Sequence, residues 1–241
     1  MPQERSGWHQ QLISGDRDGP LPALMLALTI VTGLVDAVSI LSLGRVFVAN
    51  MTGNVVFVGF ALAGAPGFSL GASLSALAGF LLGAGGGGRI VVRLEAHRGR
   101  LLLAGSIVEL ACVAAGLGLI AGAPAHLPGG VQDGAAAVVA LALGTQNAVV
   151  RALAVPDLTT TVLTLTLTGL AADARRGSAS TLLRRGLAVT TMFAGATVGA
   201  VLVLKVSAPA GLGAAVAVLA AVVAAAWAVS GGDRSWHRAK A

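Results

Sequence analysis

An all-α, polytopic membrane protein is the fold class this sequence predicts, and three observations carry it. Of the 241 residues, 56% are hydrophobic and only 11% are charged, against about 25% charged in soluble domains. The mean hydropathy is +0.86. Apolar blocks run over 21–43, 46–64, 70–92, 101–122, 134–154, 158–172, 187–206 and 211–230, several of them longer than the roughly 20 residues a helix needs to cross the hydrocarbon core. The expected organisation is an N-terminal tail over 1–20, one integral membrane domain over 21–230 and a C-terminal tail over 231–241.

The stretch 1–20 lacks the basic start of a cleaved signal peptide, and no A-x-A-like site follows. Block 21–43 is therefore expected to stay as a span. It carries Asp36 at depth, where an ionisable residue costs several kcal/mol by insertion scales and is a functional candidate by default. Block 46–64 contains Asn50-Met51-Thr52-Gly53-Asn54. On a helix Asn50 and Asn54 share a face, and Gly53 weakens the helix beside them. The N-x-T triplet has the form of a glycosylation acceptor, but its place inside a membrane-embedded block argues against that use.

Block 70–92 holds Gly83-Ala84-Gly85-Gly86-Gly87-Gly88, which formally fits G-x-G-x-x-G. It lacks the preceding strand of a dinucleotide fold, so the match is rejected. Gly79/Gly83, Gly83/Gly87, Gly118/Gly122 and Gly195/Gly199 have the small-xxx-small spacing that lets helices approach closely, within the chain or between copies as a homo-oligomer. Block 101–122 contains Glu109, a second buried carboxylate candidate, and Cys112, read as a small hydrophobe. Block 134–154 brings Gln146, Asn147 and Arg151 within two turns, before Pro156 ends the helix.

Block 158–172 reads Thr159, Thr160, Thr161, Thr164, Thr166, Thr168 among leucines. The partial alternation imitates a strand, but an open strand leaves its backbone unsatisfied in lipid, so a short or re-entrant helix is expected.

The arginines decide how many blocks cross, since short cytoplasmic loops collect Lys and Arg. Eight crossings divide the 16 Lys and Arg residues nine to seven, without bias. If 46–64 and 158–172 enter without crossing, fourteen cations share one side and only Arg45 and Lys205 lie on the other. Six spanning helices plus two shorter polar segments, with both termini cytoplasmic, is the preferred reading. Seven crossings give thirteen against three with the N-terminus outside.

Gly33-Leu-Val-Asp36-Ala37-Val38 resembles Gly144-Thr-Gln-Asn147-Ala148-Val149, 111 positions later. Gly83 with Gly87 matches Gly195 with Gly199, 112 positions later. Similarity at a fixed offset is the mark of internal duplication, with halves over 21–122 and 134–230. Three crossings per half would invert the second copy, a layout of secondary transporters whose broken polar segments sit in matching places.

The formal charge of +6 flanks apolar spans and forms no basic patch beside aromatics, so no nucleic-acid partner is expected. There is no P-loop, H-E-x-x-H or G-x-S-x-G motif, and one cysteine allows neither an intramolecular disulfide nor a zinc cluster. No enzyme activity, cofactor or metal is expected.

"FVANMTGNVV" after "GLVDAVS", and then "GTQNAVVRALAVPDLTTTVLTLTLTGLAAD", resemble the YoaK family of bacterial inner-membrane proteins of unassigned function. The likeness covers most of the chain, and both signatures stand complete. It implies a multi-pass inner-membrane protein and supplies no substrate.

The expected function is a small secondary transporter or permease for an unidentified small solute or ion. Asn50, Thr52, Asn54, Thr160, Thr161 and Thr164 would line the path with Gln146 and Asn147 nearby. Asp36, with Glu109, would carry a coupling proton. The competing reading is a membrane scaffold or accessory subunit, in which the same amides and hydroxyls bond helices together.

Overall fold

The computed structural model describes residues 18–124, 127–156, 158, 160, 163–173, 178–231 and 235–237. Six helices are long and apolar enough to cross a membrane: α1 (Leu21–Ser42), α3 (Leu70–Leu94), α4 (Arg98–Ala121), α5 (Gly129–Leu153), α7 (Ala179–Lys205) and α8 (Ala208–Ser230). Two short ones stand between them, α2 (Met51–Leu62) and α6 (Leu163–Ala172). At 12 and 10 residues these are about 18 and 15 Å long, too short to cross. The described residues contain no strand. In α6 the Thr168 Oγ1 turns back on its own helix, donating to the Thr164 carbonyl at 2.9 Å.

Several helices outrun the apolar block that announced them. The helix α7 starts at Ala179 rather than near 187, because the Ser178 hydroxyl accepts from the Thr181 amide at 3.2 Å and caps a polar first turn. Ser69, His97 and Ser207 cap α3, α4 and α8 in the same manner.

The packing has a two-fold pattern. Exchanging α1, α2, α3, α4 for α5, α6, α7, α8 turns each helix pair in contact into another. Thus α3 lies on α5 as α7 lies on α1, α4 lies on α5 as α8 on α1, and α2 on α3 as α6 on α7. The pairs α4–α8 and α1–α5 map onto themselves. Each half has three spans, so α5 runs opposite to α1 and the second half is inverted.

The match reaches single atoms. A methyl group added to Gly83 would lie inside the Leu141 carbonyl, and one on Gly195 inside the Ile30 carbonyl, which is 111 positions before Leu141. Gly144 abuts the Phe80 carbonyl as Gly33 abuts that of Met192, and Gly87 meets Thr145 as Gly199 meets Leu34. The small-xxx-small faces of α3 and α7 are thus consumed within the chain, in close parallel helix pairs. Nothing lies within 4 Å of a methyl built on Gly118, which faces outward instead.

Both described ends of the chain meet. The Trp236 ring covers Gly19, and the short 3-10 helix Ser235–His237 rests on the start of α4. At the same end, Arg98 Nη2 donates to Asp18 Oδ1 at 3.0 Å and to the Leu153 carbonyl at 2.9 Å, with both charged side chains about 6% exposed. An even number of crossings likewise puts both ends on one side. Phe193, Val198, Val201 and Leu204 on α7, with Leu81, Leu82 and Trp227, are exposed on the outer face, where hydrocarbon would meet them.

Candidate functional site

After α1 the chain reverses through Gly44 and Arg45, both at positive φ (83° and 58°). This turn brings residues 46–50 back along α1, where Asp36 receives them. Its Oδ1 accepts from the amides of Val48 at 3.1 Å and Ala49 at 3.3 Å. A buried carboxylate is tolerated when amides are aimed at it, since hydrogen bonds to the charged form offset its lost hydration. Oδ2 accepts no hydrogen bond among the described residues, and Asp36, 7% exposed, lines a cavity.

Asn54 closes the same loop from the other side. Its Oδ1 accepts from the Phe47 amide at 2.9 Å, and its Nδ2 donates to the Phe47 carbonyl at 2.6 Å. It is 0% exposed, and the only buried residue of α2. Gly53 leaves room for the Phe47 ring, whose Cδ2 would be 2.6 Å from a methyl there. Phe47 stacks on Phe57 with centroids 5.6 Å apart. Thr166, 112 positions after Asn54, is correspondingly the buried residue of α6.

The cavity measures about 840 Å³, within the range of small-molecule sites. Asp36, Phe47, Asn50, Thr52 and Phe57 form one wall, and Asn147 of α5 with Leu163 and Thr164 of α6 form another. Phe80 of α3 and Met192 of α7, equivalents under the 112-residue offset, complete it. Asp36 and Asn147 are equivalents too. The cavity therefore sits between the halves, on their pseudo-two-fold relation.

Of the residues singled out from sequence, Asp36, Asn50, Thr52, Asn147 and Thr164 are gathered at this cavity. Asn50 and Asn54 do not share a helix face. Asn50 is the residue before α2, exposed and without a side-chain capping bond, whereas Asn54 points inward. Gln146 and Thr160 are buried beside the cavity, not on its wall. Gln146 Nε2 donates to Thr160 Oγ1 at 2.9 Å and Thr32 Oγ1 at 3.3 Å, joining α5 to α1.

Glu109 is 1% exposed on the inward side of α4 and does not line the cavity. Its Oε1 and the hydroxyl of Ser106, one turn earlier, have no hydrogen-bond partner among the described residues. Thr161 lies outside the described residues. Among those described, no three His, Cys, Asp or Glu side chains gather to hold a metal ion.

Phe47, Phe57, Phe80 and Met192 also line the cavity and are not among the residues that the sequence marks out. Aromatic and Met side chains in an apolar block look like ordinary core. The offset carried a usable signal, because Phe80 and Met192 each stand three residues before the paired glycines 83 and 195.

Asn54→Ala is expected to cost about 1–3 kcal/mol, since both polar groups of Phe47 lose their partner. Asn50→Ala, at an exposed side chain, should stay within about 0.5 kcal/mol of the parent. Thermal unfolding in detergent measures both, and equal losses would show that the two amides serve alike.

The profile of a family described as "Protein of unknown function (DUF1275)" matches residues 24–225. The chain is also 45% identical over 60 residues to the UPF0700 transmembrane protein YoaK of Bacillus subtilis (strain 168), an alignment covering 25% of this chain and 27% of that one. No solved structure matches significantly.

Proposed function

We propose that this chain, which belongs to the DUF1275 family, is a secondary transporter or permease for a small solute, rather than only the multi-pass membrane protein its helices and relatives establish. The observation that supports this reading is the cavity of about 840 Å³ between two inverted halves, walled by side chains of both. Inverted repeats with a central site at their interface and short broken segments in matching positions are a working layout for alternating access. The short helices α2 and α6 supply those segments.

Asn50, Thr52, Asn147 and Thr164 line the path in this reading, and Asp36 is its ionisable group and the candidate carrier of a coupling proton. Glu109 stands apart. The reading is non-enzymatic, with no cofactor. The charge asymmetry supports an inner-membrane orientation with both termini cytoplasmic.

A scaffold or accessory subunit is the second reading. It draws on Asn54 and on the Nε2 group of Gln146, which bond other parts of the chain.

Thr52→Cys and Thr164→Cys, each made with Cys112→Ser, discriminate the two readings. In a transporter a membrane-impermeant maleimide should modify both positions from either face of oriented vesicles. Labelling confined to one face would reject alternating access and leave the scaffold.

A further inference from the structure

The cavity's wall carries one charged group among the described residues, the Asp36 carboxylate, and no Arg, Lys or His. Its Oδ1 is committed to two amides, Oδ2 accepts no hydrogen bond among the described residues, and Asp36 lines the cavity. Phe47 and Phe57, stacked 5.6 Å apart, and Phe80 supply aromatic surface to the same space. Asn50 and Thr52 add exposed polar groups that make no side-chain hydrogen bond among the described residues.

Each candidate solute class meets this wall differently. An anion would face a carboxylate with no cation to offset it, which is unfavourable at low dielectric. A divalent metal ion needs several oxygen or nitrogen ligands, and no cluster of three or more acidic, His or Cys side chains exists among the described residues. A cavity of about 840 Å³ is also far larger than a bare ion. A neutral solute could donate a hydrogen bond to Oδ2 but would leave the carboxylate's charge without a counter-charge. An organic ammonium suits every part of this wall: a cation to pair with the carboxylate, N–H groups for the Asn50 and Thr52 oxygens, and an apolar body for the rings. Aromatic faces attract such cations directly.

We propose that the solute is a small organic ammonium, anchored on Asp36 and held against Phe47, Phe57 and Phe80. This rests on the transport reading of the same cavity. Proton and ammonium would then alternate on one carboxylate.

The test uses the full-length chain purified in detergent, with benzylammonium as probe and benzyl alcohol and benzoate as its neutral and anionic counterparts. Binding to the native state raises the unfolding temperature in a concentration-dependent way. Benzylammonium should raise it and the two counterparts should not. Asp36→Asn keeps an Oδ1 acceptor for the Val48 and Ala49 amides and should weaken apparent affinity at least about tenfold. Phe80→Leu, which leaves the carboxylate loop untouched, should weaken it about threefold or more.

Stabilisation by benzoate or benzyl alcohol equal to that by benzylammonium would overturn the proposal. So would undiminished benzylammonium binding in both variants. Proteoliposome flux separates this from the parent reading. Ammonium binding with no flux would sink transport and leave the ammonium site standing, whereas flux of an anionic or uncharged solute would do the reverse.

Discussion

Gly83→Ala is expected to destabilise the protein by about 3 kcal/mol, an unusual penalty for one methyl group on a helix. The added carbon would clash with the Leu141 carbonyl oxygen. Backbone cannot rotate aside as a side chain can, so α3 and α5 must separate along their whole contact. Gly195→Ala should cost about as much, because the Ile30 carbonyl stands in the equivalent place.

Gly86 and Gly88 belong to the same glycine run, yet nothing lies within 4 Å of a methyl built on either. Alanine there should stabilise by about 0.5–1 kcal/mol through helix propensity. Thermal unfolding of the four variants in detergent is the measurement. Similar outcomes at 83 and 88 would show that the close helix contact is not what the glycines provide.

Arg98→Met should cost about 3–5 kcal/mol, the range for removing one partner of a buried ion pair. Arg98 was counted from sequence as one more cation at a cytoplasmic boundary, but it is buried and holds three elements. Asp18 precedes α1, Leu153 ends α5, and Arg98 itself opens α4. The loss arises chiefly from the Asp18 carboxylate left buried without a counter-charge. Arg98→Met combined with Asp18→Leu should therefore recover much of the stability, since apolar replacement of a whole buried pair is often nearly neutral. A double variant no better than the single would place the energy in the Leu153 hydrogen bond instead.

The six long helices and two short ones were legible because block length and charge agree, the Lys and Arg residues standing at or near the helix ends rather than at mid-span. The duplication was legible because glycines at helix contacts tolerate no replacement, so Gly33, Gly144, Gly83 and Gly195 kept their offset. The two amides of block 46–64 could not be told apart. Which of them turns inward depends on the reversal at Gly44 and Arg45, and that turn leaves no mark in an apolar pattern. Helix starts were misplaced wherever a polar first turn is held by a cap, as at Ser178. The expected partnership of Asp36 with Glu109 required knowing the phase of α4, which packs among α5 and α8 away from the cavity.

The interleaving of the halves bears on how the chain is made. The buried span α1 rests on α7 and α8, which are made after the other long helices described, while α3 and α4 find their neighbour α5 much sooner. During synthesis α1 therefore meets α5 through Thr32 and Gln146 but lacks its main neighbours until α7 and α8 have been inserted. Chains stopped after α5 should hold α3 and α4 against α5 and leave uncovered the α1 face that receives α7 and α8, a form suited to capture by an insertion chaperone or a membrane protease.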